Sequence, residues 1–402
     1  MQINKKKSSF AILISEYFNI RKILYICNSL FTCYDKHYMN NKSFTNHRVR
    51  IQYTEFFPEG KAAEIHAMFC IEEKDSDFTR QFSLIDNSLK KFSDERIHSL
   101  KPVMARYFSS DVANQEDYIL KNSSLKCPFS IVGQSPLDGS KISLWVWFSG
   151  EGNNYRSLHI ANRTSDEAGA YLQTVDLLES YEAELEKQGM NIANHCVRTW
   201  FFVQDVDTNY GQVVKGRKEN FMRQNLTEKT HYIASTGIEA KSGGKYLVKL
   251  DAIALYPLEK EQIQYLYAPS HLNPTYEYGV TFERGSVIKY GDRRHVFISG
   301  TASINNKGEV LFQGDIVSQT HRVWENVETL LKEGGASYKD VNYFIVYLRD
   351  IADFNTVNDL YEKNFPEIPR VVVLAPVCRP AWLVEMECMA TVADCNSRFA
   401  DL

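Results

Sequence analysis

The sequence has little glycine and proline, no cysteine pair at C-x-x-C spacing and no marked excess of either charge. With 20 Gly and 11 Pro in 402 residues, a fibrous or low-complexity protein is excluded. The 46 Lys plus Arg against 50 Asp plus Glu give a formal net charge of −4, which argues against a general nucleic-acid binder. The spacing of the eight cysteines predicts neither a zinc site nor a disulfide framework, so reduced thiols in a cytoplasmic protein are the simplest interpretation.

An uninterrupted hydrophobic run is also missing. The apolar stretch 10–31 contains Glu16, Arg21 and Lys22, and no small-residue cleavage site follows it. Because a membrane-spanning helix needs about 20 mostly apolar residues, we expect no membrane association. Residues 1–45 are expected to be a poorly packed N-terminal extension.

Common catalytic and cofactor motifs are absent from the sequence. There is no G-x-G-x-x-G, H-E-x-x-H or G-x-S-x-G, and AKSGGKYL (240–247) has Tyr246 where a P-loop requires Ser or Thr. The ten histidines are scattered along the chain. We therefore expect no metal ion, nucleotide or flavin.

A helix–strand pattern, in contrast, occurs twice. Each copy has an apolar run that ends in glycine, a helix with apolar residues at helical spacing, a strand, a second helix and a final strand. The corresponding segments are LWVWFSG (144–150) with VFISG (296–300), 168–188 with 315–333, 196–206 with 341–351, 210–221 with 354–365, and YLVKLDAIA (246–254) with WLVEMECMA (382–390).

These correspondences predict two related units at about 125–258 and 275–395. The alternation of helices and strands indicates an α+β fold, with mixed sheets and helices packed on one sheet face. We expect a divergent N-terminal domain over 46–265 and a C-terminal domain over 266–402 that carries the chemistry.

The two final strands differ at one position of chemical interest. Lys249 in the first copy corresponds to Glu385 in the second, and Glu385 shares a strand face with Glu387 because the residues are two apart. If this face is buried, desolvation raises a carboxyl pKa and produces a general acid. If it is exposed, both glutamates are ordinary surface residues, and the pattern alone does not decide.

Three arginines occur in loop contexts near this strand. Arg284, Arg370 and Arg379 could bind carboxylates, because a guanidinium group matches a carboxylate bidentately. A single arginine is more often a surface charge.

The second unit contains four characteristic stretches within about 100 residues: FISGTASINNKGEVLFQGDIVSQTHRVWENVETLLKEGGAS, VYLRDIADF, NFPEIPR and LVEMECMA. In these stretches the chain resembles the RidA (YjgF) family. The resemblance implies that Arg370 is the carboxylate-binding arginine of that family and Glu385 its acidic residue. Val372 departs from the pattern, because RidA deaminases commonly carry Cys there.

Further stretches between about residues 100 and 390 are more specific: RYFSSDVANQ (106–115), VGQSPLDGSKISLW (132–145), RTWFFV (198–203), ASTGIEA (234–240), YGVTFERG (278–285) and CRPAWLVEMEC (378–388). Taken together, they make the chain look like a chorismatase. The resemblance implies a cofactor-independent enzyme with a small-molecule substrate, chorismate. Protonation of its enolpyruvyl methylene then leads to ether cleavage and release of pyruvate.

The same resemblance implies roles for individual residues. Glu385 matches the catalytic acid, and the substrate carboxylates need cationic partners. The candidates for substrate binding are Arg370 first, then Arg379 and Arg284, then Arg217, with Tyr210 and Tyr278 as wall residues or hydroxyl donors.

Two further residues bear on the product. Cys378, seven residues before Glu385, and Gly285 are typical of the chorismatases that form 3-hydroxybenzoate rather than a dihydroxycyclohexadiene carboxylate. Alternatively, Cys378 is a small buried apolar residue.

Two other functions remain open at this point. A RidA-type imine deaminase would need a site built between chains, and a non-catalytic ligand-binding protein could use the same fold. The sequence does not fix the oligomeric state, nor whether Lys249 reaches a shared cleft.

Overall fold

The computed structural model describes residues 39–45, 48–96, 100–150, 152 and 154–402, with Tyr278 described by its backbone alone. Within these residues the chain forms three mixed β-sheets, one after another along the sequence. The predicted extension 1–45 lies outside the described residues up to residue 38. Its last residues, Met39–Thr45, form an edge strand.

The first sheet is covered by two helices on one face. Its strand order is β1-β2-β3-β6-β4-β5. The elements are β1 (Met39–Thr45), β2 (Val49–Phe56), β3 (Glu64–Ile71), α1 (Phe78–Arg96), β4 (Lys101–Ser109), α2 (Val112–Asn122), β5 (Phe129–Val132) and β6 (Ile142–Ser149).

The second sheet is smaller, with the strand order β7-β10-β8-β9. Its elements are β7 (Arg156–Arg163), α3 (Gly169–Glu186), α4 (Ile192–His195), β8 (Cys196–Val203), α5 (Val206–Arg223), β9 (Ala234–Glu239) and β10 (Val248–Tyr256).

The third sheet has the strand order β11-β12-β13-β16-β14-β15. Its elements are β11 (Ile263–Leu266), β12 (Gly285–Lys289), β13 (Arg293–Ala302), α6 (Ile316–Glu333), β14 (Val341–Leu348), α7 (Phe354–Asn364), β15 (Arg370–Leu374) and β16 (Val384–Ala393). Short 3-10 helices lie at Thr275–Tyr278, Tyr338–Asp340 and Ile351–Asp353.

Helix α6 illustrates why these segments fold as they do. Asp315 caps its first turn by accepting a hydrogen bond from the Ser318 backbone N–H at 3.0 Å. Val323, Val327 and Leu330 then form the buried stripe that packs on the sheet.

All three sheets share a four-stranded arrangement. The sets β3-β6-β4-β5, β7-β10-β8-β9 and β13-β16-β14-β15 have the same order, and the last pair is parallel in each. The α+β class and the mixed sheets with helices on one face are confirmed. The segments predicted at about 125–258 and 275–395 overlap the second and third sheets, but Phe129–Val132 and Ile142–Ser149 belong to the first sheet, which forms a unit of its own.

One predicted correspondence is wrong. LWVWFSG (144–150) belongs to β6, the last strand of the first unit, whereas VFISG (296–300) lies in β13, an early strand of the third. The run ends in glycine in both cases, but its place in the sheet differs.

The sheet faces opposite the helices meet in a common interior. Apolar side chains from all three units pack there in one cluster, including Met104, Trp200 and Tyr343. A buried ionic group also joins the units, because Arg106 of the first unit and Arg198 of the second pair with Glu387 of the third.

Two expectations about composition can be compared with the structure. Among the described residues, none of the helices has the length and apolar character needed to cross a membrane, and the stretch 10–31 lies outside them. Cys70, Cys127, Cys196, Cys378 and Cys388 are free thiols. Cys395 is disulfide-bonded, so the interpretation of reduced thiols is wrong at that position.

Candidate active site

A cleft between the second and third units contains five of the predicted site residues. It has a mixed polar and aromatic wall. The predicted residues in the wall are Tyr210, Arg284, Cys378, Arg379 and Glu385.

Glu385 lies in the middle of the third sheet. On β16 it pairs with Tyr347 of β14 and Ala302 of β13, and its side chain is only 5% exposed. Burial, together with the nearby charge of Glu387, raises the pKa of Glu385 to about 8, against smaller opposing effects of Arg284 and Arg198. The face is therefore buried, and Glu385 is a protonated acid at neutral pH.

Glu387, two residues further along β16, is held very differently. Its carboxylate accepts hydrogen bonds from Arg198 Nη2 at 2.7 Å and from Trp200 Nε1 at 2.9 Å. Arg106 Nη1 lies 3.4 Å away, and the Thr236 hydroxyl donates to the same group. Because two guanidinium groups compensate it, Glu387 acts as a fixed anion beside Glu385.

Gly300 on β13 makes room for the acid. A Cβ atom built there would lie 2.1 Å from Glu385 Oε1, so a larger residue would displace the carboxyl group. The Gly300 backbone N–H donates to Thr236 Oγ1 at 2.9 Å, which connects β13 to β9 of the second unit.

A loop and a helix complete the wall near the acid. Burial raises the pKa of the Cys378 thiol to about 12, in spite of a hydrogen bond with Tyr210, so this thiol is uncharged. The exposed Arg379 lies over the Trp382 ring, 5.5 Å from its centre. Gly237 lets Tyr210 approach, because an added Cβ would lie 2.7 Å from that ring.

Arg284 supplies a buried cation at the side of the cleft. Its Nη2 atom donates to the Asn273 carbonyl at 3.0 Å, which fixes the guanidinium. The next residue, Gly285, is not in the wall. It allows β12 to pack on β13, since an added Cβ would lie 2.6 Å from the Phe297 carbonyl oxygen.

Arg217 lies behind the cleft rather than in it. From helix α5 it donates to Thr281 Oγ1 at 2.9 Å and to Ser235 Oγ at 3.4 Å, and Ser235 is a wall residue. Tyr278 belongs to the 3-10 helix Thr275–Tyr278, but its side chain lies outside the described residues.

Arg370 is separated from this cleft. It lines a different depression, between the third and first units, where it pairs with Glu362 and donates to the Phe365 carbonyl at 3.1 Å. In the cleft with Glu385, the equivalent strand position is Ser235, since Ser235 pairs with Thr199 as Arg370 pairs with Phe344.

Lys249 does not reach the cleft either. Its ammonium group pairs with Glu116 and donates to the Ile131 carbonyl and to Asn162 Oδ1, each at 3.1 Å. It therefore fills the junction between the second and first units.

Comparison with known proteins identifies the family to which the C-terminal part of the chain is similar. The Endoribonuclease L-PSP family model matches residues 286–392. A RutC family protein of Pyrococcus abyssi is 38% identical over 105 residues, which are 26% of this chain and 81% of that protein. The chain belongs to the RutC family. The 3-aminoacrylate deaminase RutC of Acinetobacter baylyi is 33% identical over 99 residues, 24% of this chain and 79% of that protein.

The fold is also similar to that of a solved chorismatase. That crystal structure matches with a TM-score of 0.59 and 18% identity, and the match covers 72% of this chain and 93% of that one. It extends well beyond the RutC segment and includes elements of more than one unit.

The RutC segment supplies only part of the cleft. It contains Cys378, Arg379 and Glu385, whereas Tyr210 and Arg284 lie before it. The second unit also contributes Ser235 and Thr236, which sequence reasoning missed. Their place in the wall depends on how β9 meets the third unit, and neither residue carries a local signal of that contact.

Proposed function

We propose that the protein is a chorismate-transforming enzyme in which Glu385 is the catalytic acid. The observation that carries this proposal is a buried carboxyl group, protonated at neutral pH, in a cleft that also holds two arginines. A general acid needs a pKa near the working pH. The fold similarity to chorismatase supports this choice of substrate.

The proposed reaction begins with proton transfer to carbon. The Glu385 O–H bond breaks as a C–H bond forms at the enolpyruvyl methylene of chorismate, which leaves positive charge on the ether carbon. The carboxylate of Glu385 then stabilises this oxocarbenium-like centre. The bond between the ring carbon and the ether oxygen then breaks, and its electron pair stays on the oxygen, which becomes the ketone oxygen of pyruvate. The neighbouring hydroxyl oxygen moves to the cationic ring carbon, and that carbon loses its proton to the Glu385 carboxylate, which gives 3-hydroxybenzoate and restores the acid.

Arg284 and Arg379 are the proposed partners of the two substrate carboxylates. Both line the cleft with Glu385, whereas Arg370 lies in the other depression. Arg217 would act indirectly, through its hydrogen bond to Ser235. The aromatic rings of Phe282 and Trp382 offer apolar walls for the substrate ring.

We further propose 3-hydroxybenzoate as the second product. Cys378 offers an uncharged thiol at the end of the cleft near Glu385, with Tyr210 beside it. A dihydroxycyclohexadiene carboxylate is the product expected if water is captured instead.

An imine deaminase is the second candidate, because a RutC relative carries that activity in its name. The resemblance implies that such chemistry uses the arginine and the glutamate together. Here Arg370 and Glu385 line different clefts, and Ser235 occupies the arginine's position beside Glu385. This separation favours the chorismate reaction.

The test is turnover of chorismate by the purified full chain. Pyruvate would be followed by a coupled assay and the ring product by chromatography, with Glu385→Gln as the test variant and Glu309→Gln, an exposed glutamate of the same unit, as its control. We expect pyruvate from the wild type and Glu309→Gln and a loss of at least about a hundredfold in Glu385→Gln. No pyruvate from the wild type, together with hydrolysis of 3-aminoacrylate, would replace this proposal with the deaminase.

A further inference from the structure

A second cavity lies in the common interior, at a distance from the cleft. Its volume is about 240 Å³, more than the roughly 150 Å³ of an engineered apolar cavity that binds benzene. All three sheets contribute to its wall, through Val103 of β4, Val197 of β8 and Phe297 of β13. Phe297 pairs with Met389, four residues beyond Glu385, so the two sites are about 13 Å apart along β16.

Two polar atoms in this wall have no partner. Trp147 Nε1 and His159 Nδ1 are buried and make no hydrogen bond to any residue that the structure describes, although both side chains line the cavity. Their rings are adjacent, with centres 5.4 Å apart. Because buried polar atoms are nearly always hydrogen-bonded, two adjacent exceptions facing one cavity indicate a ligand that bonds to both.

The protonation state of His159 determines whether the ligand must donate or accept a hydrogen bond at this ring. Burial lowers the pKa of His159 to about 4, against a hydrogen bond to the Val103 backbone that favours the protonated ring. The ring is therefore uncharged, and in the tautomer with its proton on Nε2 the Nδ1 atom is a hydrogen-bond acceptor. Trp147 Nε1 is a donor, so the pair can bind one hydroxyl group, which both donates and accepts.

Charge in the wall argues against an anionic ligand. The His295 ring lines the cavity, but its Nε2 atom lies 3.0 Å from Glu64, whose carboxylate Arg293 also approaches at 3.5 Å. This imidazole is therefore already paired. The exposed Lys101 lies at the rim, and the interior wall is aromatic and aliphatic, with Phe297, Ile253 and Leu255.

We propose that this cavity is a binding site for a small uncharged aromatic alcohol of the size of phenol. Its hydroxyl group donates to His159 Nδ1 and accepts from Trp147 Nε1, while its ring lies against the aromatic and aliphatic wall. The site is independent of the reaction proposed for the cleft.

Three probes of similar size test the class of ligand. Binding of phenol, benzene and benzoate to the purified full chain would be measured by calorimetry, and the melting temperature would be followed at millimolar probe. We expect phenol to bind and to raise the melting temperature, benzene to bind at least about fivefold more weakly, and benzoate not to bind. No binding of phenol, or equal affinities for phenol and benzene, would overturn the proposal.

Matched variants distinguish this cavity from the cleft. Trp147 and Trp382 both have a buried indole nitrogen with no partner in the described part of the chain, but Trp382 lines the cleft. We expect Trp147→Phe to weaken phenol binding about fivefold and Trp382→Phe to leave it unchanged. The opposite result would assign phenol to the cleft and overturn the proposal, and circular dichroism would check that both variants fold.

Discussion

Two glutamates on one strand face differ in charge because their neighbours differ. Glu385 faces the cleft, where no cation neutralises it fully, whereas Glu387 faces Arg198 and Arg106. The fixed negative charge of Glu387 then helps to keep the proton on Glu385. Acid–base roles in enzymes commonly rest on such paired carboxyl groups with unlike environments.

The first prediction concerns the pH dependence of turnover. The acid is active when protonated, so the rate of pyruvate release should be constant below about pH 7 and fall as the pH rises through about 8. Glu387→Gln removes the neighbouring anion, so this decline should occur at lower pH. Rates across a pH series would measure both midpoints, and an upward shift in the variant would contradict the electrostatic argument.

The second prediction concerns stability. The folded pKa of Glu385, about 8, lies above its unfolded value, so the folded chain binds an extra proton between about pH 4.5 and 8 and loses stability as the pH rises through that window. At pH 8, the free energy of unfolding of Glu385→Gln should therefore exceed that of the wild type by roughly 2 to 5 kcal/mol. Its melting temperature should be correspondingly higher. The two proteins should have similar melting temperatures near pH 4, and a constant difference at both pH values would refute this linkage.

The third prediction concerns Cys378. Its thiol is uncharged, so Cys378→Ala should change the fate of the ring more than ether cleavage. We expect the ratio of 3-hydroxybenzoate to the diene acid to fall about tenfold, which corresponds to about 1.4 kcal/mol. Chromatography of the products would measure the ratio, Cys127→Ala is the control at a remote free thiol, and an unchanged ratio would remove Cys378 from product selection.

At the scale of the element, β13 shapes the site through a missing side chain. Gly300→Ala would bring a Cβ atom to 2.1 Å from Glu385 Oε1, and the displaced acid should lower turnover about a hundredfold. Gly211→Ala on helix α5 is the control, because no described atom outside its own helix backbone lies within 4 Å of the added Cβ. Steady-state kinetics of both variants would be compared. Equal activities would show that the Glu385 side chain can accommodate the added methyl group without losing its function.

The same scale shows what the sequence could predict. Helical spacing identified α3 and α6, and the i, i+2 rule put Glu385 and Glu387 on one face. Burial of that face could not be derived, because it depends on the first and second units that supply Arg106 and Arg198. The first unit was not recognised from the sequence. The apolar run 144–150 ends that unit, but its sequence does not distinguish a strand that ends one unit from a strand that begins the next.

Five of the site residues predicted from the sequence lie in one cleft. Local pattern and family resemblance were sufficient to identify these five residues as candidates. The position of Arg370 could not be derived in this way. Arg370 and Glu385 are close in the sequence, but β14 lies between their strands, so the two side chains reach opposite neighbours. Only the order of strands and the arrangement of units determine this.

At the scale of the whole molecule, the three junctions between units have different contents. One holds Glu385, one holds Arg370, and one is filled by Lys249. Arg370→Met should therefore keep the rate of pyruvate release within about twofold, with a small loss of melting temperature because the buried guanidinium and its pairing with the half-exposed Glu362 are removed. Kinetics and thermal unfolding would be measured together, and a large loss of turnover in a folded variant would assign Arg370 a role in the reaction.

The walls of the cleft come from two units of one polypeptide, and this has a genetic consequence. An intact chain cannot supply a missing cleft residue to a defective chain, whereas this is possible when a site is built between subunits. In a cell with one wild-type and one Glu385→Gln allele, total activity should therefore be proportional to the amount of wild-type chain. We expect neither complementation between the two alleles nor a dominant-negative effect of the variant.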